Sequence, residues 1–246
     1  ETRLTGSYSL LLADMNGGDA RVFGIGNKFI ESRAPENGVL CRTNHQQTEN
    51  GRRRERIPAG WARHSAARLA RLEEFFAGGG KPASLESIMT LLGDRRDAAE
   101  DREAVVGGIL PSVNNALSLV LDAGRGMLAV AGGHFPVAAG GQYELFSIKE
   151  LFRKKDAWHG SHASPRRQKP AAGEAIRCYN AAWQAWFERG DRERALRLLN
   201  DGGALVPEEP AFPRMSGLLH MKGGDWEWAV RDLKRALALE TVAGGR

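Results

Sequence analysis

Cysteine is scarce in this chain: Cys41 and Cys178 are the only two in 246 residues, far apart and in no CxxC pair. That excludes a disulfide framework and makes two free thiols in a reducing compartment the expectation, which points to the cytoplasm. Long apolar runs are missing as well, since none approaches the roughly 18 residues that a membrane span needs. No basic stretch followed by an apolar one opens the chain, so no secretory leader is seen. An initiating Met is absent too: the first residue is Glu1, as expected of a fragment, a processed product or a trimmed chain. The Gly24-Ile25-Gly26 stretch lacks a following GK[ST] and a helix to open, so a glycine-kinked strand is expected rather than a phosphate loop.

What remains is an ordinary globular composition, 42% hydrophobic and 26% charged with a mean hydropathy of −0.40, enough for a sizeable core and two domains. The net charge is +5. Most of the excess lies around Arg52-Arg53-Arg54-Glu55-Arg56 and Arg153-Lys154-Lys155, while the surface charge beyond residue 168 is nearly balanced. Basic runs can contact nucleic acid, but here no aromatic residues interleave them, so solvated loops are expected. His159 and His162 lack further ligands nearby, and neither a metal nor a cofactor is expected.

Taken in order, Ser7–Ala13 reads as a strand, Asp14–Asp19 as a hairpin turn around Asn-Gly-Gly, and Arg21–Ile25 as the returning strand. A loop from Ser32 to Gly38 leads to a short buried strand, Val39–Cys41, that ends in Arg42-Thr43-Asn44-His45. Helical spacing runs from Trp61 to Phe76 and stops at Gly78-Gly79-Gly80. Ser84 is placed to cap a second helix, Leu85–Leu92, ending at Gly93. Leu117–Leu121 and Met127–Ala131 form a second hairpin, and Tyr143–Ile148 a last strand. Strand pairs with helices between them predict an α+β fold. Residues 153–170, basic and containing Pro165 and Pro170, read as a linker.

Beyond the linker the sequence repeats. Gly190-Asp191, Glu193, Ala195, Leu199 and Leu205 recur at Gly224-Asp225, Glu227, Ala229, Leu233 and Leu239, each 34 residues on. This spacing is that of tetratricopeptide repeats, helix-turn-helix units whose small residues let paired helices approach. Four helices are expected, near 174–188, 191–203, 212–222 and 225–240. Trp183 stands where a small residue belongs and Gly202 where alanine is usual. Trp183, Trp186, Phe187, Trp226 and Trp228 are expected to pack rather than to cage a ligand. Two repeats are marginal alone, so the module should dock on the first domain or on another chain.

Asn44 at a strand tip can donate its amide NH2 to a developing oxyanion without titrating. Taken with Ser9–Asp14, Arg42-Thr43-Asn44-His45, Ser65-Ala66-Ala67-Arg68, Leu91-Leu92-Gly93-Asp94 and the hairpin from Leu117 to Ala131 with Gly133, it carries a resemblance. Residues 1–152 resemble the C-terminal part of the acyl-coenzyme A:isopenicillin N acyltransferase family of N-terminal-nucleophile hydrolases. The resemblance implies a partial αββα sandwich, with the helical module at 171–246. It also implies a hydrolase or acyltransferase acting on linear amide bonds of a small-molecule substrate. In that family a cysteine exposed by autoproteolysis attacks, and its free α-amine serves as its own base.

Position by position, Asn44 matches the oxyanion donor and Arg68 the arginine that stabilises the nucleophile region. Ser65 supports Arg68, and His45 belongs to the motif without a role of its own. The nucleophile would lie upstream of this segment. Neither Cys41, within the chain, nor Cys178, in the repeats, has a free α-amine. The chain alone is therefore expected to be inactive and to need its missing N-terminal segment or a protein partner. The alternative is a noncatalytic scaffold that binds protein or peptide through the helical repeats.

Overall fold

In the computed structural model, residues 8–14, 18–26, 29–55, 57–77, 83–153, 155–163 and 169–243 are described. The turn at Met15–Gly17, the helix stop at Gly78–Gly80 and the segment 164–168 of the expected linker lie outside them. The chain divides into two compact units, 1–80 and 81–246. Among the described residues no helix is long and apolar enough to cross a membrane.

The first unit holds an antiparallel three-stranded sheet, β1 (Tyr8–Ala13), β2 (Ala20–Gly26) and β3 (Phe29–Arg33), in that order. β2 is central, and Val22, Gly24 and Gly26 line its buried side in the two-residue period of a half-buried strand. β3 falls in a stretch that sequence patterning left without a strand. Its alternation, Phe29-Ile30-Glu31-Ser32-Arg33, mixes charge into a strand that pairs with β2. The expected strand at Val39–Cys41 does not form. Asn37 and Gly38 adopt positive φ (51° and 75°), folding Val39 back onto Glu36 in a single bridge with mutual N–H to O bonds of 2.9 and 3.0 Å. With its hydrogen bonds spent on that tight turn, the chain runs on irregular and half-buried through Thr43. Two helices follow, α1 (Glu49–Arg54) and α2 (Ala59–Ala77).

The second unit begins with α3 (Leu85–Leu92), capped by Ser84, whose hydroxyl accepts from the Ser87 N–H at 3.1 Å, and closed at Gly93. A two-residue hairpin, β4 (Arg96–Asp97) and β5 (Arg102–Glu103), leads to a four-stranded antiparallel meander. Its strands are β6 (Ser118–Asp122), β7 (Met127–Gly132), β8 (Gln142–Ser147) and β9 (Trp158–Ala163). Two short helices, α4 (Val137–Gly140) and α5 (Ile148–Phe152), flank β8. Met89 of α3 packs with Val120, Ala129, Ala131 and Tyr143 from one face of the sheet. Inside that core the Tyr143 and Ser118 hydroxyls pair at 2.9 Å. β9 lies inside the stretch whose composition reads as linker. It needs no apolar pattern because it is an edge strand, exposed on most residues and held by main-chain pairing to β8.

Four helices complete the unit: α6 (Pro170–Phe187), α7 (Arg192–Leu205), α8 (Ala211–Gly223) and α9 (Trp226–Ala243). They agree with the expected helices to within a few residues at each end. Positions 34 apart do the same backbone work. Gly190 and Gly224 both take positive φ, 66° and 82°, and the Ala195 and Ala229 amides bond to the Asp191 and Asp225 carbonyls at 3.1 and 3.0 Å. Ala195, Leu199, Phe212, Met215 and Leu219 share one core, which Val105 also packs against. Buried Glu209, between α7 and α8, accepts the Val105 and Val106 N–H groups at 2.6 and 3.3 Å and pairs with Arg102. Asn180 of α6 donates to the Val113 carbonyl at 2.9 Å. The helices thus dock on the α+β part of the same unit.

The aromatic residues differ from expectation. Trp186 packs on the helical core, but Trp226 and Phe187 are 64% and 60% exposed, and Trp183 and Trp228, the latter stacked on His220 and under Arg231, are partly exposed. Trp183 stacks on Phe187 at 4.0 Å instead. The small residue expected at 183 is met one position earlier, by fully buried Ala182.

Gly202 stands where a Cβ would lie 2.5 Å from the Phe212 ring and 2.8 Å from the Cys178 Cβ. Gly202→Ala should therefore overpack the helix contact by about 1–3 kcal/mol, outweighing a helix-propensity gain of about 1 kcal/mol. Gly203→Ala, whose nearest contact is 3.2 Å, should be milder. Urea midpoints that rise for Gly202→Ala would contradict this packing.

Candidate functional site

α2 and the irregular segment after Cys41 bring the four motif residues of the first unit together. Ser65 and Arg68 are three residues apart on α2 and so share a face. Ser65 is 1% exposed. Its hydroxyl accepts the His45 main-chain N–H at 3.0 Å and lies 2.9 Å from the His45 Nδ1. One buried oxygen thus holds both the backbone and the ring of His45. Thr43 Oγ1 stands 3.3 Å from the same ring nitrogen.

Asn44 is exposed, and its Oδ1 accepts from Arg68 Nη2 at 2.6 Å. A guanidinium only donates, so this bond fixes which end of the amide faces Arg68 and turns the NH2 group away from it. The bond also withdraws electron density from the amide, which strengthens the NH2 as a donor.

Gln46, which sequence reasoning passed over, anchors the segment. It is 3% exposed. Its N–H donates to Glu55 Oε2 at 2.7 Å, and its carbonyl accepts from Arg52 Nε at 3.4 Å. Its side-chain oxygen accepts from Arg42 Nη2 at 3.1 Å. A Cβ on Gly24 of β2 would fall 2.6 Å from that oxygen, and one on Gly51 of α1 2.9 Å from the Gln46 Cβ. The glycine inside β2 was the available signal, because such a residue marks the close approach of another group. Thr48 caps α1 by accepting the Gly51 N–H at 3.1 Å, and its hydroxyl donates to Glu31 of β3.

The electrostatics follow from burial and from these cations. His45 is held below the ordinary histidine range first by burial, then by Arg42, with Arg52 and Arg68 adding to the effect and Glu55 opposing it. The ring is therefore neutral at pH 7. Burial also lowers Arg68 and Arg42, Glu55 acting against it at Arg42. Cys41 moves the other way: burial, then Glu73, push its thiol up, against Arg33.

A serine beside a histidine invites reading as a nucleophile and base, but Ser65 is sealed from solvent and already engaged with His45. It positions and does not attack. Asn44 is the accessible donor, Arg68 its orienter, and His45 a neutral ring tied to the same helix. Among the described residues no cluster of three His, Cys, Asp or Glu side chains could hold a metal. No family model, no curated protein and no solved structure matches the chain.

Burial pushes up Cys178 as well, helped by Glu174 and Asp201 and opposed by Arg177. A raised thiol pKa means less thiolate at any given pH. At pH 7.5 both cysteines should alkylate with iodoacetamide more slowly than free cysteine, the rates climbing only at more alkaline pH. Fast labelling of Cys41 by peptide mass spectrometry would contradict the environment described.

Proposed function

We propose that this chain carries the stabilising half of an N-terminal-nucleophile site, that of a hydrolase or acyltransferase acting on linear amide bonds. The observation that carries the reading is the Arg68–Asn44 hydrogen bond. It joins residues from two separate short motifs and leaves an oriented, polarised NH2 on an accessible surface. In this reading the Asn44 Nδ2 donates to the oxyanion of the tetrahedral intermediate. Arg68 orients and polarises Asn44, and Ser65 and His45 hold the segment on α2. The nucleophile is a cysteine whose own α-amine is the base, supplied by a segment outside the 246 residues. In this reading the strand-bearing elements before residue 170, β9 included, are of αββα type, and the helices that follow are a tetratricopeptide-like module.

A second reading, a noncatalytic scaffold that binds protein or peptide, draws on the exposed Trp183, Phe187, Trp226 and Trp228 of the helical region. Aromatic residues on an open helical surface are common binding anchors.

Upstream coding sequence separates the two readings: a cysteine at a cleavable junction favours the enzyme, and an open reading frame that starts near Glu1 rejects it. In a protein complete with that cysteine, Asn44→Ala should lower kcat by about 10²- to 10³-fold, as loss of one oxyanion donor does, with KM little changed. Unchanged turnover would reject the role given to Asn44.

A further inference from the structure

The 34-residue repeat marks a surface of α8 and α9 that is placed to receive another helix. On α7, the positions Arg192, Leu196, Leu199 and Gly203 all meet the helices that follow. Arg192 pairs with Asp225, Leu199 shares a core with Phe212 and Met215 of α8, and Leu196 packs against that core. A Cβ on Gly203 would lie 3.2 Å from the Phe212 Cβ. The residues 34 further on are Trp226, Val230, Leu233 and Leu237 of α9. Leu233 is seated on α8, where a Cβ on Gly217 would lie 2.7 Å from its Cγ. The other three are each more than half exposed, and Leu218 and Met221 of α8 extend the exposed apolar surface. A contiguous apolar face of this kind marks an interaction surface.

We propose that this face joins two copies of the chain about a two-fold axis, with α9 running antiparallel to α9 of the partner. The stripe is its own complement in that arrangement. Trp226, Val230, Leu233 and Leu237 step by four, three and four residues, the seam spacing of paired helices. On reversal, Trp226 meets the partner's Leu237 and Val230 the partner's Leu233. Gly217 lies across from Ala229 and Leu233, which sets Leu218 near the same axis, against its own counterpart. The charges select this pairing. Glu227 and Lys234, seven residues apart, share one flank of the stripe, and among the described residues neither has an ionic partner. Antiparallel pairing brings each Glu227 to a Lys234 of the other copy, as a self-complementary contact requires. Parallel pairing would set like charge on like. No residue of the first unit takes part, so the contact is independent of the amide chemistry.

The test is sedimentation velocity of the full 246-residue chain over a concentration series, which should show a monomer–dimer equilibrium. Val230→Asp, in the seam, should abolish the dimer and leave the helical circular dichroism unchanged. Glu227→Lys and Lys234→Glu should each weaken dimerisation about tenfold, because each sets two like-charge contacts in the dimer. The two reversals together should restore it. Glu227 and Lys234 are exposed, so this result stands even if Val230→Asp fails to fold. Leu218→Cys should form a disulfide between the two copies on mild oxidation.

A chain that stays monomeric at every concentration overturns the proposal and leaves the face to a further segment or a different protein. A dimer that survives Val230→Asp uses another surface, and that also overturns it. Single reversals without effect, or a double reversal that fails to restore the dimer, overturn the antiparallel pairing.

Discussion

The segment from Cys41 to Gln47 has no ladder of its own, so the candidate site exists only because buried polar side chains hold it. Glu55, Arg52 and Ser65 do most of this. Glu55 and Arg52 satisfy both main-chain groups of residue 46, and Ser65 meets the N–H of residue 45 and the ring of His45. A buried polar group left unpaired costs about 1–3 kcal/mol, and a fully satisfied network confines a loop to one conformation. Asn44 inherits that rigidity. It sits between two anchored residues, and its only freedom, the rotation of its side chain, is removed by Arg68. An exposed asparagine on a free loop would lose most of its worth as a donor to the entropy of ordering it.

The same logic recurs in the second unit with a carboxylate in the central place. Glu209 sits at the turn between α7 and α8 and reaches the main chain of residues 105 and 106. It is nearly inaccessible to solvent and paired with Arg102, so its charge is compensated where it is buried. Four helices that would bury too little apolar surface alone are thereby fixed to the strand-bearing part of the unit. In both units a polar residue in an irregular stretch, outside the helix and strand patterns, sets how the regular elements meet.

That explains what the sequence could and could not reveal. Periodic features came through: α3 with its Ser84 cap, the hairpin of β6 and β7, and four helices whose glycine turns recur 34 residues apart. The motif residues Asn44, His45, Ser65 and Arg68 were recognisable as types, and the structure brings them within hydrogen-bonding reach. Features set by contacts distant in sequence did not come through. β9 has a linker's composition because an edge strand is specified by its partner's main chain. Val39–Cys41 looks like a strand because its residues are apolar, but the left-handed turn at Asn37 and Gly38 ends its pairing after one bridge. Gln46 carries no local pattern at all. The glycine of β2 beside it betrays its position, as does Gly51 of α1. The exposed aromatics failed for a related reason, because composition indicates apolar side chains without saying whether a neighbour exists to cover them.

The charges around the segment also explain why its two ends differ in chemistry. Cys41 and Asn44 are three residues apart, yet the thiol lies under the influence of burial and Glu73, with Arg33 too weak to compensate. His45, on the other side of the bend, feels Arg42, Arg52 and Arg68 together. That influence, with burial, keeps the imidazole neutral. A catalytic thiolate at Cys41 would need the reverse arrangement, with the guanidiniums turned toward the sulfur and Glu73 away from it. The two ends of the segment thus differ: burial and Glu73 disfavour the thiolate at Cys41, while burial and three guanidiniums disfavour the charged imidazole at His45.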